Sequence, residues 1–223
     1  MRSRLGHAAR WVLFGVACAW WAPVPAARAE PIDDTRWSAS VGVGYFTPEI
    51  EGWEAQYGRA GGWVPTLGAK YAVTPFVAVM VDAGYFTAGS FARGSLSGRV
   101  SGDHQRLVLW PITVGLEGAF RVSEDQLLTP FLSAGYRRAL YRLAVDGKDS
   151  VRGAAGGLLV GVGIDVLLNG LDPSSAAAFH EEYGVARTSF RVEAQWAKIQ
   201  APGTDSDVDL GGRTVVAALK FDF

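Results

Sequence analysis

From Trp37 onward the chain alternates, residue by residue, between large apolar side chains and small or polar ones. The stretches Trp37–Tyr45, Pro65–Tyr71, Val77–Tyr85, Val108–Leu116, Leu132–Tyr136, Val160–Val166, Thr188–Trp196 and Val215–Phe223 all keep a period of two. That period belongs to a strand with one apolar face. With their flanks the stretches predict eight strands, each about 9–11 residues long, the length of a tilted membrane strand. The longest uncharged runs after residue 30 are 12 residues, Trp37–Pro48 and Gly153–Ile164. A spanning helix needs roughly 20 apolar residues, so strands would have to do any crossing.

The second face of each stretch decides between a soluble and a membrane fold. The chain holds 28 glycines, about twice the usual share of roughly 7%. They fall mainly on that second face, where a narrow barrel interior has little room. The charges there are few: Lys70, Arg137, Arg191 and Lys220 against Asp82, Glu117, Asp165 and Glu193. Such a matched set can neutralise itself in a closed lumen, and buried charges have to be paired. Glu117 with Arg137, on consecutive strands, is a candidate pair. The network reads as a plug, with a pore lining as the alternative, because eight strands leave an interior that side chains fill. On the apolar face, ring residues mark strand ends at Trp37, Tyr45, Tyr71, Tyr85, Phe120, Tyr136, Trp196 and Phe223. Two such bands are the aromatic girdles of a membrane barrel. The predicted fold is all-β: an eight-stranded antiparallel up-and-down transmembrane β-barrel, with a short periplasmic helix between strands 6 and 7.

The connections alternate in length. Thr47–Trp63, Ala88–Gln105, Leu143–Ala155 and Ile199–Gly212 are long, whereas Val73–Pro75 and Arg121–Leu127 are short. Outer-membrane barrels keep short turns at the periplasmic side and long loops outside. An N-terminus in the periplasm puts every long connection outside, and an even strand count brings the C-terminus back. Asn169–Ala186 breaks the rule. Within it Asp172 is a natural N-cap, Pro173 suits the first helical position and Gly184 stops the helix. Phe179 and Tyr183 share one side of that helix. It reads as a lid over the lower mouth, or else as a docking site for a periplasmic partner.

Residues 1–29 read as a cleaved secretory signal, leaving residues 30–223 as the barrel. Arg2, Arg4 and Arg10 precede an apolar stretch, and Ala27-Arg28-Ala29 is a cleavage site. Cys18 raises a lipoprotein signal as an alternative, but Gly15 stands where that pattern wants Leu. Cleavage removes four Arg and the single Cys. The formal charge moves from −1 to −5, from 17 bases against 22 acids. An acidic chain without cysteine argues against nucleic-acid binding and disulfide scaffolds.

The chain ends Leu219-Lys220-Phe221-Asp222-Phe223. Val215, Ala217, Leu219, Phe221 and Phe223 resemble the C-terminal signature of bacterial outer-membrane barrels. That resemblance implies recognition by the barrel-assembly machinery. The whole of residues 30–223 resembles the small barrels of the OmpA, OmpX and OmpW type. Trp110-Pro111-Ile112-Thr113-Val114-Gly115-Leu116 is OmpW-like, and the insert from Asp172 to Gly184 resembles a deltaproteobacterial barrel family. The resemblance implies an outer-membrane protein in contact with lipids and lipopolysaccharide, monomeric and without cofactor. It does not single out an activity.

Chemistry is sparse. His104 has Ser101 and Asp103 nearby but not the His-x-Ser spacing of a lipid A-modifying hydrolase, and His180 falls on the periplasmic helix, the wrong side for lipopolysaccharide. Asp205, Asp207 and Asp209 open like a calcium loop, but Leu210 and Val216 stand where Gly and Glu belong. They read as an acidic loop, with weak cation binding as the sharper alternative. The expected function is non-enzymatic: an envelope or surface-interaction barrel. The alternatives are a transporter of small apolar solutes and a lipid A-modifying enzyme.

Overall fold

The computed structural model describes residues 36–50, 52–93, 100–123, 126–200 and 210–223. Its strand segments are β1 (Trp37–Pro48), β2 (Gly62–Ala72), β3 (Val77–Gly84), β4 (Phe86–Arg93), β5 (Val100–Ala119), β6 (Leu128–Val145), β7 (Val151–Leu167), β8 (Arg187–Gln200) and β9 (Gly212–Asp222). β3 and β4 are halves of one barrel strand. Both pair with β5 in a single register that steps over Gly84 and Tyr85. Counted so, eight strands pair antiparallel in sequence order, and β1 pairs with β9 to close the barrel. At the near end Phe223 donates its N–H to the Trp37 carbonyl at 2.8 Å, so the two terminal strands meet there. The expected signal, residues 1–29, lies outside the described residues.

Alternation sorts the side chains. Leu67 and Val114 point outward, 64% and 54% exposed, whereas Thr113 and Glu117 point inward and are buried. An outer surface this apolar belongs in lipid rather than water. The aromatics form two bands. Trp37, Tyr71, Phe120 and Phe223 lie toward the near end, and Tyr45, Tyr85, Tyr136 and Trp196 toward the far end. Trp63 joins the far band at 5.3 Å from Tyr45, and Trp110 at 6.1 Å from Tyr85. Trp37 and Tyr45 stand roughly 20 Å apart along the barrel axis at a rise of about 3.3 Å per residue and a tilt near 40°.

β5, β6 and β7 far outrun the expected 9–11 residues, at 20, 18 and 17. Much of Ala88–Gln105 and Leu143–Ala155, expected as loops, is therefore strand. Pairing persists there, from Gln105 opposite Val145 to Leu143 opposite Val151, because each added pair satisfies backbone groups and buries cross-strand side chains. The β6–β7 connection shrinks to a tight turn around Gly147, whose φ of 73° suits glycine.

Two helices sit in the connections. α1 (Trp53–Tyr57), between β1 and β2 at the far end, lies in a segment expected to be loop. α2 (Pro173–Tyr183) has the predicted N-cap Asp172, first-turn Pro173 and stop at Gly184. It does not pack as the expected lid: none of its residues is buried, and the Phe179–Tyr183 pair, 5.4 Å apart on one side of the helix, stays exposed.

Candidate functional site

The lumen is divided into two layers and a cap. The lower layer is a cluster of three bases and three acids: Lys70, Arg191, Lys220, Glu117, Asp165 and Asp222. Arg191 is clamped by two carboxylates. Its Nη1 and Nη2 donate to Glu117 at 2.8 and 2.9 Å, and its Nε and Nη2 donate to Asp165 at 2.7 Å each. Bidentate forks of this kind are the strong form of the ion pair. The guanidinium also lies 3.9 Å from the centroid of the Phe131 ring, a cation–π contact. Lys70 pairs with Glu117, and Lys220 bridges Asp165 and Asp222 at 3.4 and 3.0 Å. Charges of both signs thus stand between the far half of the lumen and a second cavity at the near mouth, lined by Lys70, Glu117, Lys220 and Asp222.

The layer above is polar but less paired. Arg137 donates to Thr113 at 2.9 Å and to Gln195 at 2.8 Å, and Ser133 donates to Glu193 at 2.8 Å. Glycines make room for the carboxylates. A Cβ at Gly161 would collide with the Glu193 carboxylate and the Ser133 hydroxyl, and one at Gly68 with Asp82 and Ser40.

The expected Glu117–Arg137 pair does not form. In the β5–β6 register Arg137 stands opposite Thr113, and Glu117 opposite Ser133. Four residues of strand, roughly 13 Å at about 3.3 Å each, separate the two charges. The eight expected lumen charges fall into the two layers. Lys70, Glu117, Asp165, Arg191 and Lys220 make direct ion pairs, while Asp82, Arg137 and Glu193 stand in the upper layer. Asp222 was outside that set, although it shares the inward parity of Lys220 on β9. Arg121 adds a weaker contact to it at 3.8 Å.

Above the polar layers a chamber opens in the far half of the lumen, and its upper walls are apolar: Val64, Phe86, Leu109, Ala139, Ile199 and Leu210. α1 caps it. Trp53, 3% exposed, stacks on Tyr57 at 4.1 Å and lies 5.9 Å from Phe86. Tyr57 accepts from Gln105 Nε2 at 3.2 Å; burial pushes its phenol above the ordinary value, and the Gln105 contact opposes that shift. The Trp53 indole N–H is buried with no acceptor among the described residues.

The barrel wall beside the chamber loses its backbone ladder at one place. The β2–β3 ladder ends at Thr66 opposite Gly84, and no ladder joins β2 to β4 beyond it. One hydrogen bond follows, from Tyr85 N–H to the Pro65 carbonyl at 3.2 Å. Proline contributes to the break: Pro65, opposite Tyr85, has no N–H to return that bond, and Pro111 on β5, opposite Gly84, has none to offer the other side of the same strand. The seam is held by side chains instead. Phe46 meets Phe86 edge-on at 5.3 Å, and Arg59 donates to the Thr87 carbonyl at 2.9 Å. Leu67 and Ala83, which belong to the outward face, line the chamber below this seam.

No family model matches the chain, and no curated protein matches it. Solved structures do resemble it. The outer membrane protein OprG from Pseudomonas aeruginosa aligns with a TM-score of 0.57 at 13% identity, over 85% of this chain and 96% of that one. Neisserial surface protein A aligns with a TM-score of 0.53 at 14% identity, over 84% and 97%. The chain has the fold of the small eight-stranded outer-membrane barrels. Within this outer-membrane-type barrel the remaining expected residues fall as follows. Val215, Ala217, Leu219, Phe221 and Phe223 form the outward row of β9 and the chain end. His104 packs its ring on Phe91 at 4.3 Å at the far end, and His180 is exposed on α2 at the near end. Asp205, Asp207 and Asp209 lie outside the described residues. The seam and the apolar cap went unforeseen; their signals are the prolines inside alternating stretches and the doubly apolar run Leu107-Val108-Leu109.

Proposed function

We propose that the protein is an integral barrel of the bacterial outer membrane, with both chain ends on the periplasmic side, whose far chamber takes up small apolar molecules and exchanges them with the bilayer. The observation that carries this reading is the β2/β4 seam: beyond Thr66–Gly84 no ladder joins these strands beside a chamber with apolar upper walls, and Leu67 and Ala83, the outward rung next to the seam, line that chamber. The ion cluster beneath blocks a straight path toward the near end, which favours a sideways route over an aqueous pore. Such a route suits solutes that prefer hydrocarbon to water.

Sealing the seam tests it. The β2–β3 register, carried beyond Thr66–Gly84, sets Val64 opposite Phe86, and the chain after its expected signal has no cysteine. The double variant Val64→Cys/Phe86→Cys should allow a bridge if the backbones approach within about 7 Å. Indole uptake into vesicles with a lipopolysaccharide outer leaflet should fall on oxidation and return on reduction. Equal uptake in the oxidised and reduced forms would sink the reading. A surface-interaction role is the second reading, favoured by the long β5–β6–β7 hairpins that rise beyond the far aromatic band.

A further inference from the structure

We propose that the outward face of β5–β8, just beyond the far aromatic band, binds the phosphate of a glycolipid headgroup. The register places Arg142 on β6 directly opposite Arg152 on β7. Both point outward and are exposed. Like charges directly opposite on a sheet repel, and an anion between them removes that cost. Arg138, Arg106 and Lys198 share the same outward face, and all three are exposed. Arg138 and Lys198 each stand two residues beyond a band aromatic, Tyr136 and Trp196. Among the described residues none of these five bases makes an ion pair. The other side of the barrel differs, since Arg213 is neutralised there by Glu49 at 3.1 Å.

The neighbours identify the anion as a lipid's. Next to the arginine pair, one step toward the belt, runs the cross-strand row Trp110, Leu140 and Ala154. Acyl chains can lie along this row while paired guanidinium forks hold phosphate oxygens, a geometry that arginine matches bidentately. A soluble anion would have no use for the apolar row. The proposal rests on the far end lying at the outer leaflet; it is independent of the chamber.

Native mass spectrometry of the detergent-purified barrel with diphosphoryl lipid A tests it. The Arg142→Gln/Arg152→Gln variant should retain the lipid about tenfold more weakly, the loss of at least one charge-assisted contact. Lipid A stripped of its phosphates should bind the parent equally weakly, and Arg213→Gln should bind like the parent. Heat-modifiable migration shows that each variant is folded. Equal retention by the double variant, equal binding of the dephosphorylated lipid, or displacement by inorganic phosphate at matched concentration would each overturn the proposal. Failure of the parent to insert into phosphatidylcholine vesicles would instead defeat the membrane reading itself.

Discussion

Arg191 carries four hydrogen bonds from one guanidinium to two carboxylates. A charge this deep is tolerable only because its partners are equally fixed. Glu117 is the shared node, since it also takes Lys70. Glu117→Gln should leave two bases competing for the remaining acids and lower unfolding stability by about 3–5 kcal/mol, as breaking a buried pair does. Urea unfolding followed by tryptophan fluorescence measures it, and a loss below about 1 kcal/mol, the scale of an exposed pair, would show that the cluster is solvated. The inward parity of Glu117 and Arg191 is legible in the alternation of their strands. Their partnership is not, because β5 and β8 lie far apart in the chain and only barrel closure sets their side chains face to face.

At the scale of elements, α2 is written locally and α1 is not. Asp172 accepts from Ser175 N–H at 3.1 Å and from the hydroxyls of Ser174 and Ser175 at 2.7 and 2.6 Å. Those donors hold its carboxyl down to about 2. A depressed acid stabilises its helix above the unfolded value, near 3.9, and loses that contribution as pH falls through about 2. Amide chemical shifts of Ala176–Ala178 should therefore move toward coil between these two pH values, and Asp172→Ala should show the same shift at neutral pH. Helical shifts unchanged by both would refute the cap. α1 has no such signature. It is a single turn between Gly52 and Gly58, both in the left-handed region, and it forms because Trp53 finds Phe86 and Tyr57 above the chamber. The break between β3 and β4 is intermediate. Pro65 and Pro111 are visible in the sequence, but that both fall around one gap emerges only from the register of three strands.

At the scale of the whole molecule, the apolar exterior and polar interior reverse the order of a soluble protein. Val162 lies outward on β7, opposite Leu132 and Ala194 and between the two aromatic bands. Val162→Arg should destabilise the barrel by about 2–4 kcal/mol in a bilayer if this position faces mid-membrane lipid. Folding titrations in phosphatidylcholine vesicles check it, and a variant as stable as the parent would assign the face wrongly.

Alternation by itself determined which side chains face out, how many strands close the barrel and on which side the ends meet. A period of two is a property of the local backbone, and strand parity needs no knowledge of distant contacts. The cap on α2 belongs to the same class, since its donors lie within three residues of Asp172. Only the tertiary structure decided the rest: that Glu117 answers Arg191 rather than Arg137, that β5–β7 rise past the belt, that no ladder joins β2 to β4, and that five bases gather on the outer face of β5–β8. Each depends on how far one strand slides along the next when the barrel closes, and a pattern that repeats every two residues looks the same after every even slide.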